Sequence, residues 1–445
     1  MTLTSDALIG EALAALDPER LVETARLLID TPSPTGAERH CATRLAHRLD
    51  ALGIPAVLDP FDDNRANVTA SVGRGDGGVE VMVNGHLDTT GYGDERDRAW
   101  LVEAGPSDGP RSALVDGILS GLGAYNMKGG LAAAAEAIVA LASVADRLSG
   151  RATLAAVAGE SEKAPVDGLL ARFAGPDVAG GGVGSARVLE GGRLRPDAVV
   201  ICEPSGLAVV NAQPGYVLLR LLVRGRAGYL PPAETATALD GAAAVLAAVR
   251  IWGRGYADWG ALDCGLGVLR PTVTVGAIEG GWPFKPGGTP AGVALYVDLR
   301  VPPGLDATDA ITSLTDAVRA AAGTAGDFSI EAEPFARHLP GVLVPSDHPL
   351  IEAARAAVQL ATGAPDPVPL DGDFPPGDDG KLFAAAGIPY VKVGPGTPVG
   401  RDPRFGREQV RVSELVAAAR TYVALAVRLA SMPREATHRW PPVGS

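Results

Sequence analysis

The residues best placed to do chemistry lie in Val81-Met-Val-Asn-Gly-His-Leu-Asp-Thr-Thr90, an apolar stretch that runs into His86 and Asp88. Such a short, Val-rich run predicts a buried strand, and in parallel sheets the carboxyl ends of the strands carry the active site. An imidazole there could bind zinc through one ring nitrogen, with Asp88 orienting or hydrogen-bonding it from behind. A single His after a strand is more often a satisfied surface imidazole, so the assignment depends on what else converges on it.

Elements able to position such a site alternate along the chain. Glu19 to Leu28 and Ala37 to Leu52 predict helices around the loop Thr31 to Gly36. Strands are predicted at Val79 to Asn84, Ala152 to Val157 and Asp197 to Cys202, with a helix from Gly130 to Leu148 between the first two. This rhythm implies an α/β fold with a mostly parallel sheet flanked by helices. Near Ala212 the pattern changes. Tyr216 to Val223, Thr272 to Ala277 and Val293 to Val301 read as strands, and Ala236 to Ile251 and Ala307 to Ala322 as helices, together a small ferredoxin-like α+β layer. After Pro334 the first style returns, with helices at Leu350 to Thr362 and Leu415 to Leu429 and a strand at Tyr390 to Val393. Residues 1–210 and 334–445 are therefore expected to form one α/β domain and 211–333 a domain inserted into it. Gly175 to Gly192 predicts a loop.

Four further segments supply the context that His86 needs. They are Asp116 to Gly130 with its Asn-Met-Lys-Gly-Gly turn, Gly159-Glu-Ser-Glu162, Ile201-Cys-Glu-Pro-Ser-Gly206 and Gly387 to Gly396. In order and spacing, and with Val297 to Gly304 in the inserted part, they resemble the aminoacylase, acetylornithine-deacetylase and succinyl-diaminopimelate-desuccinylase family of zinc metallopeptidases over nearly the whole chain. That resemblance implies two zinc ions bridged by an Asp and a water, each completed by a His and a carboxylate, with a Glu as general base; such a centre activates water and polarises an amide carbonyl. It also implies that the inserted domain is a dimerisation or lid domain.

Carried over by position, the resemblance makes His86 the first metal ligand, Asp88 its support, Glu160 the base and Glu203 a carboxylate ligand. The bridging Asp falls on Asn126. The second Glu falls on Ser161, or on Glu162 if the strand end is shifted by one residue. The last His falls on Arg404, and the chain has no His between His348 and His438. Zinc is thus expected to be absent, or, if retained, to sit on His86 and Glu203. Losing two ions from a carboxylate-lined pocket leaves buried charge unpaired, and Asn126, Ser161 and Arg404 offset this by removing anions and adding a cation. Arg404 and Asn126 could clamp an anionic substrate. Lys128, Asp379 and Lys381, from family segments that line the site, are assigned with Glu203 to substrate binding.

Composition excludes several classes. A formal charge of -13 and the lack of a basic run argue against nucleic acid. Three scattered cysteines make neither a disulfide framework nor a thiolate zinc site. The absence of a signal-like N-terminus and of a long uncharged apolar run leads to an expectation of a cytoplasmic protein without membrane contact. The favoured reading is a metal-independent biosynthetic enzyme in which Glu160 or Glu162 deprotonates an amine of an amino-acid-like substrate for intramolecular attack or transfer. A zinc-dependent deacylase of N-acyl amino acids and a non-catalytic binding homologue are the alternatives. A homodimer, a protein partner and a substrate tethered to a carrier protein are compatible with the family pattern.

Overall fold

A computed structural model describes residues 5–94, 109–161, 180–190, 194–229, 232, 235–281, 285–335, 340–364, 377–396 and 408–439. Its main sheet has six strands in the order Ala56–Pro60, Ala66–Val72, Arg151–Val157, Glu80–His86, Ala198–Ile201, Tyr390–Lys392. The last four run parallel. The first two form an antiparallel hairpin. Its turn is set by Asp62, whose carboxylate accepts the N–H groups of Asn64 and Arg65. The central strands are buried on both faces, as their unbroken Val, Ile and Ala content requires.

Helices Pro18–Ile29, Lys128–Leu141, Pro349–Thr362 and Val412–Ala430 pack together over this sheet. Asp17 and Pro18 start the first of them, the Asp17 carboxylate accepting the N–H groups of Glu19 and Arg20. Lys128–Leu141 is almost wholly buried and consists mostly of Ala and Gly. Its close approach has a specific cause. A Cβ on Gly130 would stand 2.2 Å from the carbonyl oxygen of Cys202, at the end of the neighbouring strand. With the following turn, Lys128–Arg147, it is the one stretch among the described residues apolar and long enough to cross a membrane, and 72% of that window is buried inside the fold, as a core helix should be.

The inserted part is a separate four-stranded antiparallel sheet in the order Thr272–Gly280, Gly292–Val301, Gly215–Arg224, Ser329–Pro334. Helices Ala238–Tyr256 and Ala307–Ala325 close a core of its own around Leu219, Leu221, Val245, Leu295 and Leu314. Alternate burial along Gly215–Arg224 shows one face of the sheet covered. The edge strand Ser329–Pro334 turns Ile330 and Ala332 to the core and is tied to its neighbour on the other face by the ion pairs Glu331 to Arg224 and Glu333 to Arg220.

One expectation needs correction. The Gly-rich stretch is not loop throughout, because Val183–Leu189 is helical. Gly181 and Gly182 take positive φ and turn the chain into it, so the glycines mark the helix start.

Candidate active site at the ends of the parallel strands

His86 closes its strand and is 3% exposed. Its Nδ1 lies 2.9 Å from the backbone carbonyl of Asp88, and its Nε2 lies 3.0 Å from Asn126 Oδ1 and 3.1 Å from Glu203 Oε1. Both ring nitrogens therefore face acceptors. The arrangement is satisfied by an imidazolium, or by a neutral ring with a cation between Nε2 and the two oxygens. Burial opposes charge on His86, but Asp88, Glu203 and Glu160 together hold its pKa well above the ordinary value.

Asp88 supports the site differently from the expected carboxylate-to-imidazole hydrogen bond. It is its backbone carbonyl that meets Nδ1; the carboxylate stands 3.6 Å away. The carboxylate instead grips the end of the next strand, accepting the N–H of Glu160 at 3.1 Å, the N–H of Ser161 at 3.0 Å and the Thr35 hydroxyl at 3.0 Å. Glu160 is thereby placed with Oε2 3.8 Å from His86 Nε2. Burial raises its carboxyl pKa well above the usual range, His86 opposes that, and Glu203, Asp379 and Asp88 add to it. Ser161 turns outward, its hydroxyl 3.4 Å from that of Thr90.

Asn126 is held through its backbone. Glu408, just before the last helix, accepts the N–H groups of Tyr125 at 3.2 Å and Asn126 at 3.0 Å. Burial moves this carboxyl up to about 7, against the backbone donors and Lys128. A second supporting carboxyl, Glu38, accepts the N–H groups of Gly36 and Gly159 at 2.9 Å and is pushed up to about 7 by burial and then by Asp88. Neither was singled out as functional from sequence. Glu408 carried a signal in its place beside the family's last His position; Glu38, in a helical pattern, carried none.

The substrate-binding assignments fare unequally. Lys128 is 1% exposed and its ammonium donates to the Thr31 carbonyl at 2.9 Å, so it serves as an internal tie and offers no surface to a substrate. Asp379 accepts the Ser185 hydroxyl at 2.6 Å, Ser185 in turn meeting Asn84 Nδ2 at 3.0 Å. Burial raises the Asp379 carboxyl to about 6 against Ser185 and Lys381. Lys381 stands over the Tyr216 ring, 4.4 Å from its centre, where the inserted layer meets the main one. Arg404 and Glu162 lie outside the described residues.

One ion suits this donor set. His86, Glu160 and Glu203 each present a ligand atom, all within 4.8 Å of one another, a number and type of ligands that zinc accepts. Among the described residues, Asn126 offers only a neutral carboxamide oxygen beside this cluster.

The comparisons with known proteins agree with this architecture. Among solved structures the fold is similar to the aminopeptidase PepT of Bacillus cereus ATCC 10987 (21% identity, TM-score 0.63, covering 94% of this chain and 100% of that one). It is likewise similar to human carnosine dipeptidase 1 (16%, 0.66, 96% and 100%) and to the di-peptidase Dug1p of Saccharomyces cerevisiae (12%, 0.68, 97% and 100%). The model of peptidase family M20/M25/M40 matches residues 82–428, from the strand that delivers His86 to the helix that follows Glu408. By that match, which takes in His86, Asn126, Glu160 and Glu203 alike, the chain belongs to peptidase family M20/M25/M40.

Proposed function

We propose that the chain is an amidohydrolase acting on the acyl–nitrogen bond of an amino-acid-derived substrate, with a single divalent ion, such as zinc, held by His86 and Glu203 beside the Asn126 carbonyl oxygen, and with Glu160, the third member of the metal-competent cluster, serving as general base rather than as a ligand. The observation that carries this reading is the convergence of Asn126 Oδ1 and Glu203 Oε1 on His86 Nε2, three lone-pair donors about one point. The peptidase and dipeptidase names of the similar structures support an amide substrate with an amino-acid part. When bound, the ion would polarise the scissile carbonyl and acidify a water. Glu160, fixed by the hold of Asp88 on its backbone, takes the proton of the attacking nucleophile and returns it to the departing amine. Asp379, steadied by Ser185, adds negative potential at Glu160 and favours a substrate bearing an ammonium group.

A second reading is favoured by the neutral Asn126 and by the proton affinity of His86. Here the imidazolium replaces the ion, and Glu160 deprotonates a substrate amine that attacks an acyl carbon in the same molecule or on a carrier, the acyl–heteroatom bond breaking as Glu160 passes the proton to the departing group. Metal analysis of the purified protein, combined with turnover of an N-acyl amino acid panel, separates the two. One equivalent of metal with chelator-sensitive hydrolysis supports the first. Metal-free protein that releases no free acid, yet converts amine-bearing substrates in a Glu160-dependent way, supports the second. In either case E160Q should lower turnover by roughly 10²- to 10⁴-fold, and full activity in E160Q would overturn both. We also infer a homodimer through the inserted layer, supported by the exposed Leu239, Ile251 and Ile278 on its helix and edge strand.

A further inference from the structure

The inserted layer is reached by two chain crossings, and these are joined to each other. Ala212–Gln213 on the way in pairs antiparallel with Val342–Leu343 on the way out. Asn211 reinforces the join, its Nδ2 donating to the carbonyls of Val344 at 2.8 Å and Cys264 at 2.9 Å. From this ribbon the Gln213 side chain reaches the segment that precedes Asp379. Its Oε1 accepts the Asp378 N–H at 2.6 Å, and its Nε2 donates to Asp378 Oδ1 at 2.9 Å. The other Asp378 oxygen meets Lys392 Nζ at 2.6 Å. Gln213, Asp378 and Lys392 are all buried. Gly377 allows the approach, since a Cβ there would stand 3.1 Å from Gln213 Oε1.

A buried ion pair is favourable only when the remaining lone pairs of its carboxylate are satisfied, and for Asp378 the Gln213 amide does this together with the Gly380 N–H, which donates to the same oxygen at 2.7 Å. The bond joins places 165 residues apart. The segment it holds also faces two ways. Asp379 acts on Glu160, and Lys381 rests on Tyr216, the second residue of an inserted-layer strand.

We propose that Gln213 is a positioning residue whose carboxamide locks the hinge ribbon to Asp378, so that the inserted layer and the Asp379-to-Lys381 edge of the site turn as one body. The lock itself stands on geometry alone; its effect on turnover rests on the amidohydrolase reading above.

An exchange of groups tests it. Q213E sets carboxylate against carboxylate at unchanged size. Q213E combined with D378N returns a donor to face the new carboxylate, at the expense of the Gly380 N–H bond to Asp378 Oδ1 and of the charge facing Lys392. Two readouts need no substrate. Dyes on V57C in the main sheet and A320C on an inserted-layer helix, both exposed positions, report the distance between layers; the native cysteines are buried. Amide hydrogen exchange over 377–386 reports the segment. Q213E should broaden the inter-dye distribution and speed exchange by roughly tenfold or more, and the exchange variant should return both toward wild type. If Q213E does not fold, Q213L removes the lock without adding charge and should show the same signs. Wild-type behaviour in Q213E and Q213L alike overturns the lock.

For an N-acyl amino acid that the wild type turns over, Q213E should raise KM by roughly tenfold with a smaller change in kcat. A recovered lock with unmoved kinetics would overturn the positioning role. Absence of turnover in the wild type would refute the amidohydrolase reading and leave the physical readouts to decide the lock.

Discussion

Replacing Asp88 by Asn is the sharpest test of how the site is held together. The carboxylate is wholly buried and accepts three hydrogen bonds, two from the backbone of the residues that carry and follow the base. An amide of the same shape can accept on one side only. In its better orientation it keeps the Ser161 and Thr35 donors on one oxygen and turns an NH₂ toward the N–H of Glu160. The lost bond was charge-assisted, worth about 1.5–3 kcal/mol, and each surviving bond weakens by about half that as the charge disappears. The sum is about 3–6 kcal/mol, or roughly 5–10 °C in the melting temperature of the main layer. Glu160 would also shift, and a displacement of about 1 Å at a catalytic group costs on the order of 10²-fold in rate. Differential scanning fluorimetry and turnover on the same preparations measure both effects. If D88N melts within about 2 °C of wild type and keeps its activity, the carboxylate does not hold the strand end and the reasoning fails.

Other expectations follow from separate parts of the fold. His348 caps the helix Pro349–Thr362 by accepting the Leu350 N–H, and burial lowers its pKa to about 4 against Asp347. The unfolded chain binds a proton there from about pH 6.5 downward while the folded one resists, so His348 costs up to about 3 kcal/mol of stability as pH falls from about 6.5 to 4. H348N keeps a capping oxygen without titrating, and its stability curve should fall less steeply on the acid side in urea melts; parallel curves would contradict this. Gly10 and Gly130 both sit in helices, yet a Cβ meets nothing within 4 Å at Gly10 and a carbonyl oxygen at 2.2 Å at Gly130. G10A should therefore stabilise by about 0.5–1 kcal/mol and G130A destabilise by about 1–3 kcal/mol, as read from melting temperatures. Glu136, buried in the Ala-rich helix, accepts Arg20 Nε at 2.8 Å and the Asp17 N–H at 2.8 Å. E136A should lose about 2–4 kcal/mol, and a loss below about 1 kcal/mol would show Arg20 rehydrating freely.

Much of the main layer was legible because its signals are local. The run ending in His86 is apolar on both faces and could only be a central strand, and helix and strand periods alternate clearly on either side of it. The hairpin Ala56–Val72 was harder, since its outer strand is half exposed and its register is set by a side chain, Asp62, rather than by a turn glycine. What escaped altogether was the long-range polar wiring. Ser185 sits in a Gly-rich stretch and Gln213 in a strand of two residues, and each acts on a partner more than 160 positions away. The role of Lys128 depends on the fold for a related reason. Its identity marks the turn, but its four-carbon stem lets the ammonium end on Thr31, and only the fold decides where that stem points.

The two carboxylates that grip backbone have a consequence for the history and engineering of this site. Asp88 holds the chain at 160 and 161, and Glu408 holds it at 125 and 126, by N–H groups that every residue except proline possesses. Side-chain identity at positions 126 and 161 is thereby uncoupled from main-chain position. These are sockets of fixed geometry into which carboxylate, carboxamide or hydroxyl fits without moving the walls, so the chemistry at this end of the sheet can drift, or be redesigned, while the fold around it stays the same.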